Sequence, residues 1–250
     1  MRYFIQFAYH GKRYHGSQIQ PNAITVQEVL QTALSLILKE SIQIMAAGRT
    51  DAGVHARVMY AHFDFSSVLE SGPLLYRLNA FLPADVVVQQ IFPVPDDAHA
   101  RFDAEERTYE YWVTGKKDPF LFDAAYYVKY PLNIAEMNKA ATILVGHRDF
   151  QCFSKSKTDV RTYICDLRSA IWTTDEEKMV FTIRADRFLR NMVRAVVGTL
   201  INVGTGKTPL KDIPAIIESK DRSKAGISVP AKGLYLTAIK YPDNIINNHG

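Results

Sequence analysis

The chain has 250 residues, 47% hydrophobic and 22% charged, which is the composition of an ordinary globular protein; disordered, collagen-like and disulfide-stapled classes are excluded. Its net charge of +4 is mild but unevenly spread, with 7 basic and 8 acidic side chains in residues 1–100 and 23 and 18 in residues 101–250. Between 184 and 211, Arg184, Arg187, Arg190, Arg194, Lys207 and Lys211 face a single Asp186, a local excess that suits a polyanion or a solvated charged face.

In chain order, residues 2–9 put Tyr3, Ile5, Phe7 and Tyr9 on one face, the period of a strand. A polar, glycine-punctuated loop from His10 to Asn22 follows. Thr25 with Glu28 has capping-box spacing, and Val26, Val29, Leu30, Ala33, Leu34 and Ile37 form one helical stripe. Strands are expected at 42–47 and 58–65, a short helix at 73–80 and a strand at 86–92. In the second half, 107–113 reads as a strand and Asn133 with Glu136 caps a helix through Val145. Strands are expected near 160–172 and 179–185, joined by the acidic turn Asp175-Glu176-Glu177. A helix follows over 187–203, and the last strand spans 234–240. A further helix at 209–219 would be kinked or delayed by Pro214. The fold expected is α+β: two tandem ferredoxin-like β-α-β-β-α-β units, 1–100 and 101–250, sharing a large, mostly antiparallel sheet.

Cys152 and Cys165 are too few for a disulfide framework or a thiolate metal site. The start lacks a signal-peptide core and no stretch approaches the ~20 apolar residues of a membrane span, so a cytoplasmic location is expected. No His or Asp pairs stand at metal-ligand spacing, and phosphate-loop, dinucleotide and nucleophile-elbow motifs are absent.

The string GRTDAGVHA (48–56) offers the most chemistry. Gly48 and Gly53 permit unusual backbone angles, and Asp51 lies between Arg49 and His55. An ionised Asp51 could be a nucleophile or general base, or simply a turn former; both readings are open. RTYEYWV puts Arg107, Tyr109, Tyr111 and Val113 on one strand face, suited either to stacking on unpaired bases or to a core. At 100° per residue Arg187, Arg190 and Arg194 cluster within about 60°, a stripe fitted to phosphates, and Gly198 extends that face. A non-catalytic RNA-binding protein would use the same arginines and tyrosines without Asp51. A retaining glycosidase would need a second carboxylate, and none is evident.

GRTDAGVHA closely resembles the catalytic loop of the tRNA pseudouridine synthase A family. YHGKRYHGSQIQ, TVQEVL, LNAFLPADV, AHARFDAEERTYEY, VGHRDFQCF, NMVRAVVGTL and VPAKGLYL fit it in collinear order over roughly residues 3–240. Ser17 departs from it, standing where the family usually has tryptophan before Gln18, and Arg190 lies at a variable position. The resemblance implies an isomerase that converts uridine to pseudouridine at positions 38 to 40 of the tRNA anticodon stem-loop. It implies Asp51 as the essential aspartate, Tyr109 as the ring stacked on the target base and Arg194 as the aspartate's partner. Arg49 would help displace the base, and Leu234 or Leu236 would wall the base pocket. Arg107, Arg187 and Arg190 are expected to bind substrate. No metal and no nucleotide cofactor are implied, and the family forms homodimers with tRNA bound across both subunits.

Overall fold

The computed structural model describes residues 1–156, 160–175 and 178–246. By packing, the chain divides into a first unit, Met1–Glu105 with the chain from Leu236, and a second, Glu106–Tyr235.

The first unit runs β1 (Arg2–Tyr9), α1 (Val26–Leu38), β2 (Met45–Ala46), β3 (His55–Asp64), α2 (Ser71–Phe81) and β4 (Val86–Val94). Antiparallel β1 lies between β4 and β3, and β2 adds to β3. Being central, β1 buries both faces: Tyr3, Ile5 and Phe7 on one, and on the other Phe4 among Tyr60, Phe92 and Tyr241. Thr25 caps α1 by accepting from the Glu28 backbone N–H, as the capping-box spacing predicts. The strand expected at 42–47 shrinks to two residues. Ile42 and Ile44 are buried, but their N–H groups go to Ser35 Oγ (3.0 Å) and Gln31 Oε1 (3.2 Å) of α1 rather than to a ladder. The next strand starts earlier than expected, at His55, because Ala56 pairs opposite Tyr9.

The second unit runs β5 (Glu106–Thr114), β6 (Tyr126–Tyr127), α3 (Ile134–Val145), β7 (Leu167–Thr174), β8 (Met179–Ala185), α4 (Met192–Gly204) and α5 (Ile213–Glu218). The antiparallel order is β5-β8-β7, with β6 parallel to β5. Asn133 caps α3 through the Glu136 N–H (3.1 Å). Residues 160–166 do not join the strand expected from 160, which begins at Leu167. Of the expected acidic turn, Glu176 and Glu177 lie outside the described residues. Pro214 sits in the first turn of α5, where no N–H is needed, so the helix starts late. The last strand, β9 (Leu234–Lys240), begins in the second unit and ends in the first, where it follows β3. A four-residue helix, α6 (Asp243–Ile246), comes last.

Candidate active site

In the first unit, Asp51 sits in the connection between β2 and β3, half-exposed, between a buried Thr50 and an exposed Ala52. The segment from Tyr9 to Ser17 braces this loop along its length. Ser17 N–H donates to Thr50 O (3.2 Å) and Thr50 N–H donates to Ser17 Oγ (2.8 Å), while the Thr50 and Tyr9 hydroxyls are 2.8 Å apart. Beyond Asp51, Gly53 N–H donates to Tyr14 O and Val54 N–H to Asp51 O. The buried His55 accepts from Gly11 N–H at Nδ1 (3.0 Å), which leaves the neutral ring's proton on Nε2. The brace is itself tied down: Tyr14 donates to Asp85 Oδ1 (2.7 Å) and His10 N–H to Asp85 O (2.9 Å). Gly53 has φ +78, a conformation that favours glycine; Gly48 has open space around it and no positive φ. Arg49 is exposed at the loop's near end.

In the second unit, Arg107, Tyr109 and Tyr111 share one face of β5. Tyr111 is fully buried, donating to Pro230 O (2.7 Å), and burial pushes its hydroxyl pKa up against the opposing influence of Arg194. Tyr109 is half-buried, its ring edge-on to Phe188 at 5.1 Å and 85°. Arg107 donates through Nη1 to Asp186 O (2.7 Å), which brings it to the turn leaving β8. Arg194 lies in the first turn of α4, its Nε on Val229 O (2.7 Å) and its carbonyl accepting from Val229 N–H. Tyr235 stacks on Trp112 at 4.2 Å, so alternation along β9 turns Leu234 and Leu236 to the opposite face; both are buried. Leu234 belongs to the second unit and Leu236 to the first.

The expected arginine stripe is corrected by the structure. The helix begins at Met192, not at 187, so Arg187 and Arg190 lie on the preceding segment and only Arg194 is helical. Asp186 Oδ1 takes the N–H groups of Asp166 and Arg187, and Asn191 adopts a left-handed φ of +68, which keeps the helix from starting before Met192. Arg187 is half-exposed and Arg190 exposed. Gly198 does not extend a basic face either. The 226–229 backbone covers it so closely that a Cβ would lie 1.8 Å from Ile227 O.

Among the described residues no three His, Cys, Asp or Glu side chains gather as a metal ion would need, and no helix is long and apolar enough to cross a membrane. Cys152 and Cys165 are free and buried, and burial pushes both thiols up to about 12.

A family model described as tRNA pseudouridine synthase matches residues 5–103 and 140–242. The tRNA pseudouridine synthase A of Azobacteroides pseudotrichonymphae is 49% identical over 247 residues, covering 99% of both chains. The chain belongs to the tRNA pseudouridine synthase family. The enzymes of the same name from Bacteroides fragilis (50% over 246 residues, 98% of each chain) and a Thermoanaerobacter species (42% over 239 residues, 95% of this chain and 98% of the relative) extend the similarity. The matched ranges of the synthase family contain Arg49, Asp51, Arg187, Arg190, Arg194, Leu234 and Leu236, whereas Arg107 and Tyr109 fall between them. Sequence reasoning missed Tyr9, Thr50 and Val229, whose roles come from contacts distant in sequence. Ser17 alone carried a signal, as the departure from the family's tryptophan.

Proposed function

We propose that this protein isomerises uridine to pseudouridine at positions 38 to 40 of the tRNA anticodon stem-loop, with Asp51 as the essential carboxylate. Family membership makes it an isomerase acting on tRNA; the position modified and the residue roles are the proposal. The observation that carries it is the bracing of the Asp51 loop: hydrogen bonds fix Thr50 on one side and Gly53 on the other, while Asp51 itself stays half-exposed. A loop serving only as a turn has no need of such fixation.

The reaction breaks the bond between uracil N1 and the sugar C1′, turns the base and forms a C5–C1′ bond; the C5 proton leaves and N1 takes up a proton, with no net redox change. Asp51 serves as nucleophile or base, which an ionised carboxylate does without a cofactor. Arg194 is its counter-cation, held through Nε and Val229 O. Tyr109 offers a half-exposed ring on which the displaced uracil stacks, offsetting the few kcal/mol of leaving the helix. Leu234 or Leu236 supplies the apolar wall, and Arg49 helps displace the base. Arg107, Arg187 and Arg190 meet the RNA backbone. Two ferredoxin-like units underlie the fold, supported by the orders β1-α1-β2-β3-α2-β4 and β5-α3-β7-β8-α4-β9. The working form is a cytoplasmic homodimer with tRNA bound across both subunits.

The test is incubation with unmodified tRNA followed by mapping of pseudouridine. The wild type modifies positions 38 to 40, and Asp51→Asn binds tRNA to within about tenfold without turnover, because an amide is neither nucleophile nor base. Turnover by Asp51→Asn refutes the role of Asp51. An inactive wild type favours a non-catalytic RNA-binding protein.

A further inference from the structure

We propose that Ser17 is a positioning residue for the isomerisation, fixing the backbone of Thr50 so that Asp51 keeps one orientation. The proposal rests on the reading of Asp51 given above.

Ser17 is 3% exposed and uses three groups in two directions. Its N–H and Oγ form the reciprocal pair with Thr50 O and Thr50 N–H, while its carbonyl accepts from Gln27 N–H (2.9 Å) in the first turn of α1. The Gly16 carbonyl accepts from Val26 N–H beside it. Thr50 is thereby coupled to the start of a helix rather than to another loop, and helices hold their ends to smaller displacements than loops do. The approach is close enough to require glycine next door: Gly16 has φ +101, and a Cβ there would lie 2.7 Å from Thr50 O.

The acceptor is Ser17 Oγ, and its removal leaves a buried N–H on the residue immediately before Asp51. A tryptophan in this position would offer an indole N–H that donates but does not accept. This chain therefore holds Thr50 by a bond that tryptophan could not make.

Four proteins test the idea: wild type, Ser17→Ala, Ser17→Cys and Ser17→Thr, each measured for single-turnover rate at saturating tRNA, tRNA affinity and thermal melting. Ser17→Ala slows the saturated rate by about 10–100-fold, the scale of small misplacements of a reacting group. Its affinity stays within about twofold, because no phosphate contact is lost. Ser17→Thr keeps the hydroxyl and stays within about threefold of wild type. Ser17→Cys fills the same space with a weaker acceptor and falls between; it decides the matter if Ser17→Ala shows no melting transition. A saturated rate in Ser17→Ala or Ser17→Cys equal to wild type, with Asp51→Asn inactive, overturns the positioning role alone. A rate loss fully accounted for by a smaller folded fraction overturns it too. Turnover by Asp51→Asn instead means that the reading of the site has failed.

Discussion

His62 makes stability depend on pH in a window set by its burial. It lies on β3, 7% exposed, accepting from Ala100 N–H at Nδ1 (3.1 Å), with the His99 ring 4.6 Å away. Burial, followed by the charges of Arg2 and His99, lowers its pKa to about 4. In the unfolded chain the ring titrates near 6.5. Between these values the unfolded chain holds a proton that the folded protein does not, so the unfolding free energy falls as pH drops. From about pH 7 to about pH 4.5 the loss is about 2 kcal/mol. His99, also lowered chiefly by burial, acts in the same direction. Asp64, lowered by its hydrogen bond from Arg2, loses its contribution only as pH falls below the ordinary carboxylate range, outside this window. Denaturant unfolding of wild type and His62→Asn at several pH values isolates the effect, because the amide oxygen keeps an acceptor for Ala100 N–H without titrating. The difference between the two proteins narrows or reverses by about 2 kcal/mol toward pH 4.5. A difference independent of pH would refute the assignment.

Two further variants separate the arginines. Arg187→Ala weakens all tRNAs alike and lowers the log–log salt slope of binding by roughly 0.7–0.9, with an unchanged saturated rate; an unchanged slope in a salt titration removes the phosphate role. Arg194→Ala cuts the single-turnover rate at saturation by at least about tenfold, since it takes away the cation proposed for Asp51. A normal saturated rate removes that role. Gly198→Ala places a Cβ 1.8 Å from Ile227 O, where ordinary contact is about 3.5–4.0 Å. The 226–229 backbone must shift, at a cost of about 1–3 kcal/mol and about 2–4 °C of melting temperature per kcal/mol. A melting curve matching wild type would contradict the packing described.

What could be read from the sequence alone was whatever repeats or acts locally. The capping pairs Thr25/Glu28 and Asn133/Glu136 predicted the starts of α1 and α3, because each bond spans three residues. Alternation predicted β1, since a strand with a buried face repeats every second residue, and the strands expected at 107–113 and 234–240 form as β5 and β9. The collinear family strings identified the synthase family and singled out Asp51. Tertiary structure decided the rest through bonds between residues far apart in the chain. Ile42 and Ile44 have the apolar pattern of a strand, yet polar side chains of α1 take their backbone donors. The arginines from 187 to 194 have helical spacing, yet Asp186 and the left-handed Asn191 delay the helix, and periodicity carries no information about either. Gly198 reads as a gap on a helix face until the 226–229 backbone fills it. Ser17 reads as a missing tryptophan until Thr50, 33 residues away, is found bound to its hydroxyl. Periodicity reports which face is apolar; the partner of a polar group depends on which distant segment the fold brings within about 3 Å.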